Sequence, residues 1–271
     1  NAGLNSTAAN NTFLGSDAGQ SNTTGSLNVF LGLGAAVNNT TGHRNNVVGA
    51  GAGENMNTGS DNILLGYLAG FFTDTASQNI MIGTNAGEEN RVSGNIFIGH
   101  NAGLINTSGR SNTFIGLKAG DANSTASDNT FLGANAGGAN TTGAGNTFIG
   151  KGAGDANTTS NDNTFIGLNA GGGNTTAFGN VFIGKNAGLV NTTAVQNTFI
   201  GTAAGEDNTT GSSNTFVGYS NGSSNTTGAE NTFLGFATGF QNTTGAGNVF
   251  MGSNCGTNNT TAANNTFVGS F

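Results

Sequence analysis

The sequence predicts an all-β fold, a parallel β-solenoid or β-roll of 17-residue coils, about 16 of them, with two short strands in each. Three observations carry this. The unit N-T-F-I-G, as in Asn112-Thr113-Phe114-Ile115-Gly116, recurs sixteen times between Asn11 and Gly269, always opened by Asn and closed by Gly. Fourteen of the fifteen gaps between closing glycines are 17 residues, and the gap from Gly83 to Gly99 is 16. Seventeen residues hold two strands and two turns, too few for two packed helices. An apolar residue held at one phase through sixteen units also argues against disorder, which 49 glycines, no proline and 7% charged residues would otherwise suggest.

The working template is N-T-F-I-G-x-x-A-G-x-x-N-T-T-G-x-x. T-F-I and N-T-T are rich in β-branched and aromatic residues and read as the two strands. Gly and Asn at their ends supply turn and left-handed conformations for the corners. Stacked coils place equivalent residues about 4.7–4.9 Å apart, as in neighbouring strands. The opening Asn then forms a structural ladder, each side-chain amide bonding to the copies above and below. Its members are Asn11, Asn28, Asn45, Asn62, Asn79, Asn95, Asn112, Asn129, Asn146, Asn163, Asn180, Asn197, Asn214, Asn231, Asn248 and Asn265. A second Asn column, from Asn22 to Asn259 in thirteen of fifteen repeats, reads as a similar ladder.

Strand alternation puts Phe on one face and Thr and Ile on the other. Both faces carry apolar columns, so both are expected to be buried, and a single coil has one interior. With Ile and the Ala column filling that interior, thirteen Phe remain outside. They are Phe13, Phe30, Phe97, Phe114, Phe131, Phe148, Phe165, Phe182, Phe199, Phe216, Phe233, Phe250 and Phe267. At roughly 150 Å² or more per ring they would expose about 2,000 Å², well above what a soluble monomer shows. The expectation is a parallel cyclic homo-oligomer packed side by side through the Phe column, a trimer foremost and higher rings the alternative. Phe inside with Ile at the interface leads to the same oligomer with the roles exchanged.

Along the chain, residues 1–271 read as one repeat solenoid and as a fragment of something longer, since both ends fall inside repeats. The one local irregularity spans 62–94: it carries Tyr67, Leu68, Phe71 and Phe72, puts Thr73 at the second Asn phase, and contains the short repeat with Glu88-Glu89-Asn90-Arg91-Val92. From Asn112 to Gly179 the repeats alternate in pairs, with Asp121 and Asp155 34 residues apart.

Chemistry-bearing residues are sparse. The net charge of −7 arises from 13 acidic and 6 basic residues spread thinly, without the clustered Lys and Arg that nucleic acid or an anionic membrane surface requires. No apolar run approaches a membrane span. His43 and His100 lie more than three coils apart at different phases, and the carboxylates sit singly. Glu88-Glu89 and Glu206-Asp207 are the nearest approach to a glycosidase-like pair, and read as solvated turn charges. No Asp-bearing G-G-x-G-x-D turn signals calcium, and A-G-x-x-N lacks the Lys of a phosphate loop. Catalytic residues, metals and cofactors are therefore not expected. Cys255, the only cysteine, occupies the Ala column and reads as a small buried substitute.

In N-T-F-I-G-x-x-A, for instance Asn197-Thr198-Phe199-Ile200-Gly201-Thr202-Ala203-Ala204, the chain resembles the head repeats of YadA-type trimeric autotransporter adhesins. It is similar too to the N-T-x-x-G-x-x-A-G repeats of surface-fibre proteins of Bacteroidota and phages. The resemblance covers the whole chain, with a longer period and Phe where the adhesin repeats carry a small residue. It implies a structural or adhesive segment of an extracellular bacterial cell-surface fibre, attaching to other cells or surfaces by rigid multivalent presentation. The alternatives are an ice-binding solenoid using Thr columns such as Thr141-Thr142 and Thr158-Thr159, and a phage-type tail-fibre shaft.

Overall fold

The computed structural model describes residues 1–270, and over them the chain is an all-β parallel solenoid. It divides into two compact units, Asn1–Ala134 and Asn135–Phe271. In the first unit the strands are β1 (Thr12–Leu14), β2 (Val29–Leu31), β3 (Asn46–Val48), β4 (Ile63–Leu65), β5 (Ile80–Ile82), β6 (Ile96–Ile98), β7 (Thr113–Ile115) and β8 (Thr130–Leu132). In the second they are β9 (Thr147–Ile149), β10 (Thr164–Ile166), β11 (Val181–Ile183), β12 (Thr198–Ile200), β13 (Thr215–Val217), β14 (Thr232–Phe236), β15 (Val249–Ser253) and β16 (Thr266–Val268). Within each unit successive strands pair parallel and in register, so that like meets like: Phe165 opposes Phe182, and Ile166 opposes Ile183. The short repeat keeps this register, with Met81 opposite Phe97.

Each coil has one strand, not two. T-F-I forms it, whereas N-T-T is a bent arch. The arch still bonds to the next coil, since Thr209 and Thr210 both donate their backbone N–H to the Thr226 carbonyl, at 2.9 and 3.1 Å. Two neighbouring N–H groups sharing one acceptor is a bend, which excludes the regular ladder of a strand despite the β-branched composition. The corners need positive φ at four places per coil. In the coil from Asn197 these are Gly201 (136°), Ala203 (56°), Gly205 (57°) and Ser213 (61°).

The assignment of the Phe column to an oligomer interface is corrected by burial within a single chain. Phe30, Phe97, Phe114, Phe131, Phe148, Phe165, Phe182, Phe199, Phe216, Phe233 and Phe250 are wholly buried, while Phe13 in β1 is half-buried and Phe267 in β16 is exposed. The rings stack along the interior, as between Phe165 and Phe182 with centroids 4.9 Å apart and planes 7° off parallel. That spacing is the strand spacing itself, so the sheet sets the stack. The opposite wall explains why the rings fit. It is the Ala-Gly pair, and a Cβ on Gly205 would meet the Phe199 ring at 2.5 Å. Burying each ring contributes about 2–3 kcal/mol. Ile, with Thr, takes the outward face.

The two Asn columns are buried and wired differently. The opening Asn uses its amide mainly on backbone: Asn163 Oδ1 accepts the N–H of Asn180 at 3.0 Å, and Asn163 Nδ2 donates to the Ala177 carbonyl at 2.9 Å. Side chain to side chain contacts in this column are longer, as from Asn163 Nδ2 to Asn146 Oδ1 at 3.3 Å. The second column is the amide-to-amide ladder: Asn208 donates to Asn191 Oδ1 at 3.0 Å and accepts from Asn225 at 2.7 Å. In most coils where both columns are complete, one carbonyl takes both donors, as at Gly245 with Asn231 (2.8 Å) and Asn242 (3.0 Å); at Gly211 Asn208 alone donates and Asn197 Nδ2 is without a partner. A carbonyl has two lone pairs, and buried amides need both donor and acceptor satisfied. Asn at both phases meets that condition with a side chain short enough to stay inside the coil.

Candidate functional site

With Phe, Ala, Gly and both Asn columns turned inward, the surface is built from the remaining phases. On the strands, the first and third residues face out. In the second unit they run Thr147, Thr164, Val181, Thr198, Thr215 and Thr232 beside Ile149, Ile166, Ile183, Ile200, Val217 and Leu234. These side chains are half-buried for the most part, with Leu234 39% exposed. The outcome is an outward strip of paired β-branched and aliphatic columns on each unit.

The two Thr of the arch have different roles. The first is tied down: Thr141 Oγ1 donates to the Thr158 carbonyl at 3.0 Å, and Thr158 to Thr175 at 3.1 Å. The second, as at Thr142, Thr159, Thr176, Thr193, Thr210, Thr227 and Thr244, is exposed. Flanking apolar turn pairs are only partly covered. Phe71 and Phe72 pack edge to face at 4.6 Å, and Val190 is 37% exposed beside half-buried Leu189. Leu104 and Ile105 are half-buried. A further aromatic pair, Tyr219 and Phe236, stacks in the open at 5.4 Å.

The ionisable residues stay dispersed. His43 Nδ1 accepts the backbone N–H of Ser26 at 3.1 Å, a contact between consecutive coils. Glu206 accepts from Asn186 Nδ2 at 2.9 Å, while its neighbour Asp207 is exposed. Arg44 and Asp61 form a bidentate pair on adjacent coils at 2.6 and 2.8 Å, and this hydrogen bonding holds the Asp61 carboxyl below its ordinary range. Partial desolvation pushes the Asp155 carboxyl up. Among the described residues no three His, Cys, Asp or Glu side chains gather as a metal set. Cys255 is buried and unpaired in the Ala column.

A concave surface also lies outside these regular columns. In the first unit an open groove is lined by residues on either side of the second Asn phase, among them Asn38, Asn55, Asn57, Phe72, Asp74 and Arg91. The Arg91 guanidinium lies 5.1 Å above the Phe72 ring. The sequence signal for this groove was the replacement of the second Asn by Met56 and Thr73, which sits inside or beside the irregular stretch. Without the coil geometry, however, residues 17 apart could not be seen to form one wall. Comparison of the chain with protein-family models, with curated proteins and with solved structures yields no match.

Proposed function

We propose that the chain is a structural and adhesive segment of an extracellular bacterial surface fibre, working through a repeated surface and through copies of itself. The observation that carries this is the division of labour within the coil. The Asn, Phe and Ala columns and the Gly that faces the Phe rings point inward, where they build backbone scaffold and core. What is offered outward is a register-locked strip with one aliphatic side chain per coil, a surface that many weak contacts in parallel would use. Side-by-side association through the Ile face follows from the same strip, because it is the remaining apolar column and lies only half-covered.

The test is oligomeric state by light scattering on the chain and on the quadruple variant Ile149→Ser, Ile166→Ser, Ile183→Ser, Ile200→Ser. The chain is expected to be an oligomer and the variant a folded monomer. A chain that is already monomeric at tens of micromolar refutes association through this face. A second reading, ice binding, draws support from the exposed second Thr of consecutive arches, Thr142 to Thr244, at one hydroxyl per coil. Thermal hysteresis measures it directly, and its absence in concentrated protein removes it.

A further inference from the structure

In most coils of the second unit the residue before the ladder Asn is small or aliphatic and the residue after it is a Thr. The Thr hydroxyl is closed on the next coil's carbonyl, as from Thr175 to Thr192 at 3.1 Å. Successive coils of the first unit abandon this arrangement together. Before the ladder phase stand Asn38, Asn55 and Phe72, and after it Asn57, Asp74 and Arg91. These six line the open groove. Beneath it the ladder itself is interrupted: Met56 and Thr73, both fully buried, replace Asn, and Asn39 Oδ1 is left without a hydrogen-bond partner. An unpartnered buried acceptor is destabilising, and so is the loss of repeated Thr bonds. Departures that cost stability and converge on one face are expected where a scaffold carries a ligand site.

We propose that this groove binds a neutral saccharide. Its wall combines the groups that sugar hydroxyls and C–H faces require. Asn38 Nδ2 donates to Asn55 Oδ1 at 3.3 Å and Thr40 Oγ1 donates to Asn57 Oδ1 at 2.6 Å, which orients these amides and leaves the Nδ2 groups of Asn55 and Asn57 to donate to sugar hydroxyls. Asp74 is exposed and accepts, and Arg91 donates. Arg91 forms no ion pair among the described residues, and its stacking on Phe72 holds the guanidinium fork in place. Phe72, braced by Phe71, supplies apolar surface. One positive and one negative group in the same wall leave it without net charge, which favours a neutral ligand over an anion. Because the amides recur from coil to coil, a chain of sugars meets the same chemistry repeatedly. The groove lies at a different phase of the coil from the outward strand face. The inference deepens the adhesive part of the proposed function by naming a target class, and rests on that part alone.

The experiment titrates the full chain with malto-, cello-, xylo- and mannohexaose, and with hexagalacturonate as the acidic counterpart, by calorimetry or NMR shift mapping. Variants Asn55→Ala, Asp74→Asn and Arg91→Ala are compared with Asp207→Asn, an exposed carboxylate of the second unit that stands before its ladder Asn, at the phase of Asn55. Circular dichroism verifies that each variant retains the fold. At least one neutral hexaose is expected to bind saturably, with Kd raised about tenfold or more in each groove variant and unchanged in the control. The proposal is overturned if no neutral hexaose binds at millimolar ligand, if binding ignores the groove substitutions, or if hexagalacturonate binds in preference and Arg91→Ala abolishes it. Oligomeric state is read on the same samples. Absent sugar binding with an intact oligomer counts against this groove only, and a monomer that binds sugar counts against side-by-side association only.

Discussion

A Cβ placed on Gly201 would press into the carbonyl of Gly218 in the next coil, and the φ of 136° at Gly201 is one that L side chains rarely adopt. The same geometry recurs at Gly150, Gly167 and Gly184, with φ of 134°, 138° and 138°. Two independent penalties, strain and collision with backbone, therefore act at one residue. Gly201→Ala is expected to destabilise the chain by about 3 kcal/mol or more, read as a lower denaturation midpoint. Ala203→Gly is the matched control: its φ is 56°, and Gly already holds this phase at Gly152. There the change stays within about 1 kcal/mol, because relief of a left-handed Ala offsets the added chain entropy. The closing glycine was plain in the sequence as an unbroken column. Its cause was not, since the clash is with a residue 17 positions away.

At the level of strand and arch, the columns are the stabilising unit. Asn208 donates to Asn191 Oδ1 and to the Gly211 carbonyl, each at 3.0 Å, and accepts from Asn225. Asn208→Ala leaves two buried acceptors and one donor short of a partner, and is expected to cost about 3 kcal/mol or more. Asn259→Ala, at the part-exposed end of the same column, reaches water and costs clearly less. Equal losses at both sites would show that the ladder contributes little beyond its local turn. The strand T-F-I was legible from its alternation and flanking Asn and Gly. Which face turned inward was not, because both columns are apolar. The decision lies across the interior, where glycines such as Gly205 leave space that a ring fills and an Ile would not. The arch misled for a related reason: β-branched Thr suggested a strand, but the buried Asn amides take the local carbonyls and bend the chain.

On the scale of the whole molecule, the strands within each unit contact only their neighbours, so stability adds up along the coils of a unit and register is the quantity that must survive a change. Removing residues 180–196, one full coil, joins Gly179 to Asn197 and presents the same phases to each other. Phe165 then faces Phe199, and Asn174 faces Asn208, just as each now faces an equivalent residue one coil away. The chain already tolerates a smaller change of this kind, since the 16-residue gap between Gly83 and Gly99 is absorbed in the arch at Asn90 while the strands stay aligned. Removing 180–188 instead joins Gly179 to Leu189, deletes a strand and its Phe without its arch, and leaves Phe165 and Phe199 on coils whose arches no longer match. The full-coil deletion is expected to keep the circular dichroism of the parent and a cooperative melt within a few degrees of it. The half-coil deletion is expected to lose the cooperative transition or to aggregate through exposed strand edges and core. If the two deletions behave alike, stability resides in features particular to individual coils, and the repeated Asn, Phe and Gly columns are not what defines the fold.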